Sequence, residues 1–373
     1  MVLVYLRELK HRALFVAGTT GVLLIAFILL QSPASLDDFR PFYRAAGLLG
    51  SPDLFTQTQY HAQGLMFLRT PFYAALLRPF TALPYEVAHT VWTGLMAVCF
   101  ALAFWLWPGS RPRTALAACW SVPVLMALAM GQDIALMLLI AAVALRLWQC
   151  GRPATAGLIA SLLALKATLL LPVAIVFAAR SRRGLITLLA GAALQFAACF
   201  AIQGPAWIQQ YLAAIRSPLL DQVPARMPCL AAFLAGAPFV VLAAAVYAWI
   251  WWIARRETIA TAITAALPLG MVAAPHCYTY DMAAAIPLLA AIVGVRSPRG
   301  ILAALALSPA PYLLMSLDHP GPAGAAILIA AILVAAARLP RIPDATMTRT
   351  DDTPCPNSPS WFPRWTSAKT SLP

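Results

Sequence analysis

Two aspartates stand side by side where a long apolar run stops: Asp37 and Asp38 in SLDDFRPFYRAAG, residues 35–47, directly after GTTGVLLIAFILLQ. A carboxylate in that position either caps a helix or takes a proton as a general base. Lys166 is a second group with potential chemistry. Its surroundings, LLALKATLLL, give it no local partner, and a lysine in hydrocarbon costs roughly 2.5 to 3.5 kcal/mol. It needs an anion, which is either a structural aspartate or the phosphate of a lipid ligand. His276 follows Pro275 in PHCYTYD, where it either bonds a backbone carbonyl or meets a phosphate or leaving group. Gln132 and Asp133 in GQD, then Tyr278, Tyr280 and Asp281, then Asp318 and His319, complete the rare polar groups.

The elements that must hold these residues are membrane segments. The chain has 373 residues, 62% hydrophobic and 10% charged, with a mean hydropathy of +0.79, against about 25% charged residues in soluble domains. Apolar runs recur between residues 13 and 337, each near the roughly 17 to 25 residues that span a bilayer. The net charge of +13 is scattered between these runs singly or in pairs, a topological pattern that argues against nucleic-acid binding. The basic, then apolar N-terminus lacks a small-residue cleavage site and reads as a retained first span. The seven cysteines have no metal-type spacing and read as core side chains.

With basic span ends placed on the cytoplasmic side, residues 13–31 cross outward, 32–85 form an extracytoplasmic loop, and later runs alternate. One stretch breaks the alternation. Arg152 and the cluster Arg180, Arg182 and Arg183 are both cytoplasmic by charge, yet about 26 apolar residues separate them. A pair of short helices that enters and returns, turning near Lys166, satisfies both ends. The expected architecture is an all-α polytopic membrane bundle, residues 1–337, of about twelve segments with both termini cytoplasmic. Its first loop carries helices lying along the membrane surface, and residues 338–373 form a disordered cytoplasmic tail. Almost all the rare polar groups then fall on the extracytoplasmic side. No Walker loop, GxGxxG, HExxH or GxSxG occurs, so nucleotide-driven transport and the common hydrolase mechanisms lack support.

The segments DFRPFYRAAGLLGSPDLF, MGQDIALMLLIAAVALRLWQCGRPATAGLIASLLALKATLLLPVAIV and APHCYTYDMAAAIPLL together resemble the GT-C glycosyltransferases of family 87, the DUF2029 type that uses polyprenyl-phosphate mannose. The resemblance spans roughly residues 35–300. It implies a GT-C-type fold in the cytoplasmic membrane and inverting transfer of a hexose, mannose, from a polyprenyl-phosphate donor to a lipid or glycan acceptor at the outer face. It implies Asp38 as general base, in a register set by Phe39, Phe42 and Tyr43, with Lys166, His276 and Gln132 binding the donor. Asp37, Tyr43, Asp133, Tyr278 and Tyr280 are possible substrate contacts. It implies no cofactor and no metal, the cations replacing one. The chain departs from the family pattern in two places. Arg69, Thr70 and Pro71 stand where Tyr-Pro-Pro is usual, and Asp133 stands where an asparagine is common.

A lipid or solute transporter or flippase is the rival reading, since many carriers share such a layout. Carriers place charge at the midplane between repeated halves, and this chain has neither feature. Transfer of another lipid-linked group, such as arabinose or phosphoethanolamine, and a catalytically dead relative also remain open.

Overall fold

The computed structural model describes residue 18 and residues 37–56, 67–109, 119, 121–217, 227–293, 297–317, 321–339 and 342. The expected first span at 13–31, Asp318, His319 and the tail beyond 342 lie outside the described residues. Within them every element is helical. The first helices are α1 (Phe39–Gly47), α2 (Pro71–Leu77), α3 (Tyr85–Leu106), α4 (Val122–Ala129) and α5 (Ile134–Gln149). Next come α6 (Pro153–Ala160), α7 (Ala167–Arg180), α8 (Arg182–Gln203), α9 (Trp207–Ile215) and α10 (Gly236–Arg256). The last helices among the described residues are α11 (Ile259–Val272), α12 (Ile286–Ile292), α13 (Pro298–Leu307), α14 (Ala310–Ser316) and α15 (Gly321–Ala337).

Among the described residues four helical stretches are, by length and composition alone, long and apolar enough to cross a membrane, or up to six if the bent pairs α4–α5 and α13–α14 each count as one. Three shorter apolar helices accompany them. The protein is therefore membrane-embedded. The described residues thus hold fewer full-length spans than the twelve segments expected. Between α4 and α5 the axis turns by 118° at Gly131, Gln132 and Asp133.

The stretch Pro153–Arg180 is helical throughout, with a 3₁₀ turn at Ser161–Lys166 between α6 and α7. A straight helix would hold Pro153 and Phe177 about 36 Å apart at 1.5 Å per residue. Both instead touch one glycine. A Cβ added to Gly184 would lie 2.7 Å from Phe177 Cδ1 and 2.9 Å from the Pro153 carbonyl oxygen. The stretch therefore folds back on itself, and the fold-back centres on Lys166, whose backbone leaves the helical region at φ −137° and ψ 88°. This is the entering-and-returning pair that the charges at its two ends require.

Small residues let α8 run parallel and close to α6. A Cβ on Gly157 would meet the Gly184 carbonyl at 2.0 Å, and one on Gly191 would meet Ser161 Oγ at 2.3 Å. Gln195 Nε2 donates to the Ser161 carbonyl at 2.9 Å, which satisfies a polar group that lipid could not.

The helices share two ends. At one, Arg146 Nε donates to the Leu106 carbonyl, Thr258 Oγ1 to the Ile342 carbonyl and Arg299 Nη1 to the Arg338 carbonyl. At the other, Trp92 Nε1 donates to the Gly131 carbonyl and the Gly50 N–H to Gln203 Oε1. Helix α1 belongs to the second end. Its apolar stripe, Phe39, Phe42, Ala45 and Ala46, is buried against α2 and the 3₁₀ turn Arg78–Ala82. Phe39 and Phe42 thus face the protein interior.

Candidate active site at one end of the bundle

Five breaks in helical structure bring the polar groups together: the N-terminus of α1, the segment before α2, the α4–α5 turn, the break at Lys166 between α6 and α7, and the turn between α11 and α12. Gly131 makes the third possible. Its φ of +68° suits glycine, and a Cβ there would lie 2.6 Å from Phe39 Cβ. The close approach of α1 to this turn places Gln132 against Asp38.

Asp38 is 7% exposed. Gln132 Nε2 donates to its Oδ2 at 2.5 Å. Its Oδ1 is buried and has no hydrogen-bond partner among the described residues, as is also true of Gln132 Oε1. Burial raises the carboxyl from 3.8 to about 6, opposed by the Gln132 hydrogen bond and reinforced by Asp37. A base with that affinity is ionised at neutral pH yet holds a proton far better than an ordinary carboxylate.

Asp37 has a different environment. Its Oδ1 accepts the Arg40 backbone N–H at 3.3 Å, at the start of α1, and its Oδ2 accepts the Tyr85 hydroxyl. Arg40 Nε lies 3.5 Å from Oδ2, and His89 Nε2 lies 4.0 Å from Oδ1. The carboxylate bonds the first turn of the helix and leaves its neighbour turned inward.

Two ion pairs flank Asp38. Lys166 Nζ bonds Asp281 and lies 5.5 Å from the centre of the Tyr280 ring. Asp281 is fixed in turn by the Tyr278 N–H, 3.1 Å from its Oδ2. Arg69 binds Asp133 through two parallel bonds, Nε to Oδ2 at 3.1 Å and Nη2 to Oδ1 at 3.2 Å. Asp133 itself is wholly buried. Asp38 feels the charges of Arg69 and Asp281, and His276 feels those of Asp281, Lys166 and Arg69, so these groups form one electrostatic cluster. Burial lowers the His276 pKa, with Asp281 opposing, so its imidazole is neutral near pH 7 and can donate a hydrogen bond without carrying charge. Its ring lies 6.2 Å from that of Tyr278, which stacks on Tyr280 at 5.4 Å. Among the described residues no three His, Cys, Asp or Glu side chains converge to hold a metal ion.

Residues 67–277, more than half of the chain, match the model of glycosyltransferase family 87. The chain belongs to glycosyltransferase family 87. No curated protein and no solved structure matches it. The matched region of this glycosyltransferase contains Arg69, Gln132, Asp133, Lys166 and His276. Asp38 precedes it, and Tyr278, Tyr280 and Asp281 follow it, so only the fold unites the site.

Of the residues singled out in the sequence, the glycosyltransferase brings together Asp38, Gln132, Asp133, Lys166, His276, Tyr278 and Tyr280. Tyr43 stands apart, its hydroxyl donating to the Leu83 carbonyl at 2.8 Å. Gln132, expected on sugar or phosphate, has its amide nitrogen on the carboxylate of Asp38. The expected anion for Lys166 is an aspartate, Asp281. Arg69, noted in the sequence only as a departure from the family pattern, proves to be the partner of the other departure, Asp133. That coincidence of two charged departures was the available signal, but nothing local connects them.

Proposed function

We propose that this membrane glycosyltransferase moves a hexose, mannose in particular, from a polyprenyl-phosphate donor to an acceptor hydroxyl on a lipid or glycan. Asp38 acts as general base. Its Oδ1 takes the acceptor proton while the acceptor oxygen forms a bond to the anomeric carbon. The bond from that carbon to the phosphate oxygen breaks on the opposite face, its electron pair leaves with the polyprenyl phosphate, and the configuration inverts. The observation that carries this reading is the Asp38 carboxylate itself. It is buried, held by one oxygen, free at the other among the described residues, and raised to a pKa of about 6.

Lys166 keeps two N–H groups beyond its bond to Asp281, and these suit the charge that develops on the leaving phosphate. His276 supplies a neutral donor beside it. Gln132 positions the base and offers Oε1 to a sugar hydroxyl, and the stacked Tyr278 and Tyr280 rings present an apolar face to the sugar. The end of the bundle opposite the site carries Arg152, Arg180, Arg182, Arg183, Arg255 and Arg256. That asymmetry supports a cytoplasmic placement of the basic end and an active site at the outer face of the cytoplasmic membrane. The test is to incubate the purified protein in nanodiscs with labelled polyprenyl-phosphate hexoses and total membrane lipid. Label moves to an acceptor with the native chain and not with Asp38→Asn, and retained transfer by that variant removes the base assignment.

A further inference from the structure

The two ion pairs in the site are not equivalent. Lys166 and Asp281 are nearly sealed together, their side chains 7% and 5% exposed, whereas in the other pair Asp133 is fully sealed and Arg69 keeps 14% of its side chain open. The exposed part of this second pair therefore belongs to Arg69 and not to Asp133.

Guanidinium geometry adds to this. Of five N–H groups, two lie on Asp133 and a third makes a longer bond of 3.4 Å to the Leu68 carbonyl. Two remain. The bidentate grip of Asp133 fixes the plane of the fork, and the Phe42 ring, 5.6 Å from Arg69 Cζ, stands beside it. A buried ion pair is a weak source of stability, since an apolar pair of similar volume often does as well. A fixed arginine with an open side is, however, well built to receive a phosphate through parallel hydrogen bonds.

Resting on the donor reading above, we propose that Arg69 is a second phosphate-binding cation of this site, held by Asp133 to grip the phosphate of the lipid-linked donor opposite Lys166. Asp133 is then a positioning residue. It orients the guanidinium and never touches substrate.

The test uses the full-length protein in nanodiscs, with farnesyl phosphate, farnesol and inorganic phosphate titrated separately by calorimetry. Two variants are compared with the native chain. Arg69→Lys keeps the charge and loses the fork, and Arg69→Gln/Asp133→Asn replaces the ion pair by two amides and leaves no buried charge unpaired. The native chain should bind farnesyl phosphate more tightly than farnesol. Both variants should lose about 10- to 100-fold for farnesyl phosphate, the range of a charged hydrogen bond, and bind farnesol unchanged. Farnesyl phosphate affinity that survives in either folded variant overturns the assignment to Arg69 alone. A native chain that does not prefer farnesyl phosphate to farnesol overturns the donor reading and this proposal with it. Inorganic phosphate binding as tightly as farnesyl phosphate would mark a site for the free anion, and the lipid assignment would fall.

Discussion

Replacing Asp38 by asparagine should remove transfer and make the protein more stable. In the folded chain the carboxyl titrates at about 6, against 3.8 for the ordinary side chain. The folded state thus binds this proton more tightly than the unfolded state. The group's stabilising contribution is complete below pH ~3.8 and is lost as the pH rises through about 6. A difference of about two units at 1.36 kcal/mol each amounts to about 3 kcal/mol at pH 7.5, and to roughly half of that at pH 5. Because the side chain is only 7% exposed, solvent screens little of it. Asparagine has nearly the same shape and keeps an oxygen to accept the Gln132 N–H, but it has no charge to desolvate. Thermal unfolding in detergent, followed by intrinsic fluorescence at pH 5 and pH 8, should show the variant melting several degrees above the native chain at pH 8, with a smaller gap at pH 5. A variant that melts no higher at pH 8, or a gap that ignores pH, would refute the claim that burial sets this carboxyl's pKa.

Other consequences can be measured separately. The pH profile of kcat/KM should rise about tenfold per unit below pH 6 and level off above it. Gln132→Leu should move that midpoint upward, because the amide's hydrogen bond lowers the Asp38 pKa, and an unmoved midpoint would remove its positioning role. Lys166→Ala leaves Asp281 buried without its cation and should cost about 3 to 5 kcal/mol in denaturant unfolding; Lys166→Met/Asp281→Leu should recover that stability without recovering donor affinity. Gly157→Ala drives a Cβ to 2.0 Å from the Gly184 carbonyl and should destabilise by about 1 to 3 kcal/mol, whereas an unchanged melting temperature would contradict the close packing of α6 on α8. A membrane-impermeant maleimide on intact cells should label Thr56→Cys, at the site end, and should reach Arg183→Cys only after permeabilisation; the reverse pattern would invert the topology.

Much of the fold was legible because it follows from local chemistry. Apolar runs of spanning length, and arginines that must stay in water, report the environment of a segment with no knowledge of its neighbours. The same logic placed a fold-back at Lys166, since one apolar stretch cannot carry two cytoplasmic ends across a single bilayer, and Gly184 does lie against both Pro153 and Phe177. The choice between the two aspartates rested instead on the family resemblance, in the register of Phe39, Phe42 and Tyr43. In the structure Asp37 bonds the N–H of Arg40 while Asp38 faces inward with Gln132.

The partners of those groups were settled only in three dimensions. Gln132 meets Asp38 across 94 residues, Arg69 meets Asp133 across 64, and Lys166 meets Asp281 across 115. Hydrophobic periodicity and charge bias record whether a residue faces lipid, protein or water. They carry no record of which distant helix break will lie opposite. A buried lysine announces from the sequence alone that it needs an anion, because an uncompensated charge in a low dielectric is too costly to keep. Which aspartate answers it, and that Arg69 keeps a more exposed side chain than Lys166, depend on how five separate helix breaks converge at one end of the bundle.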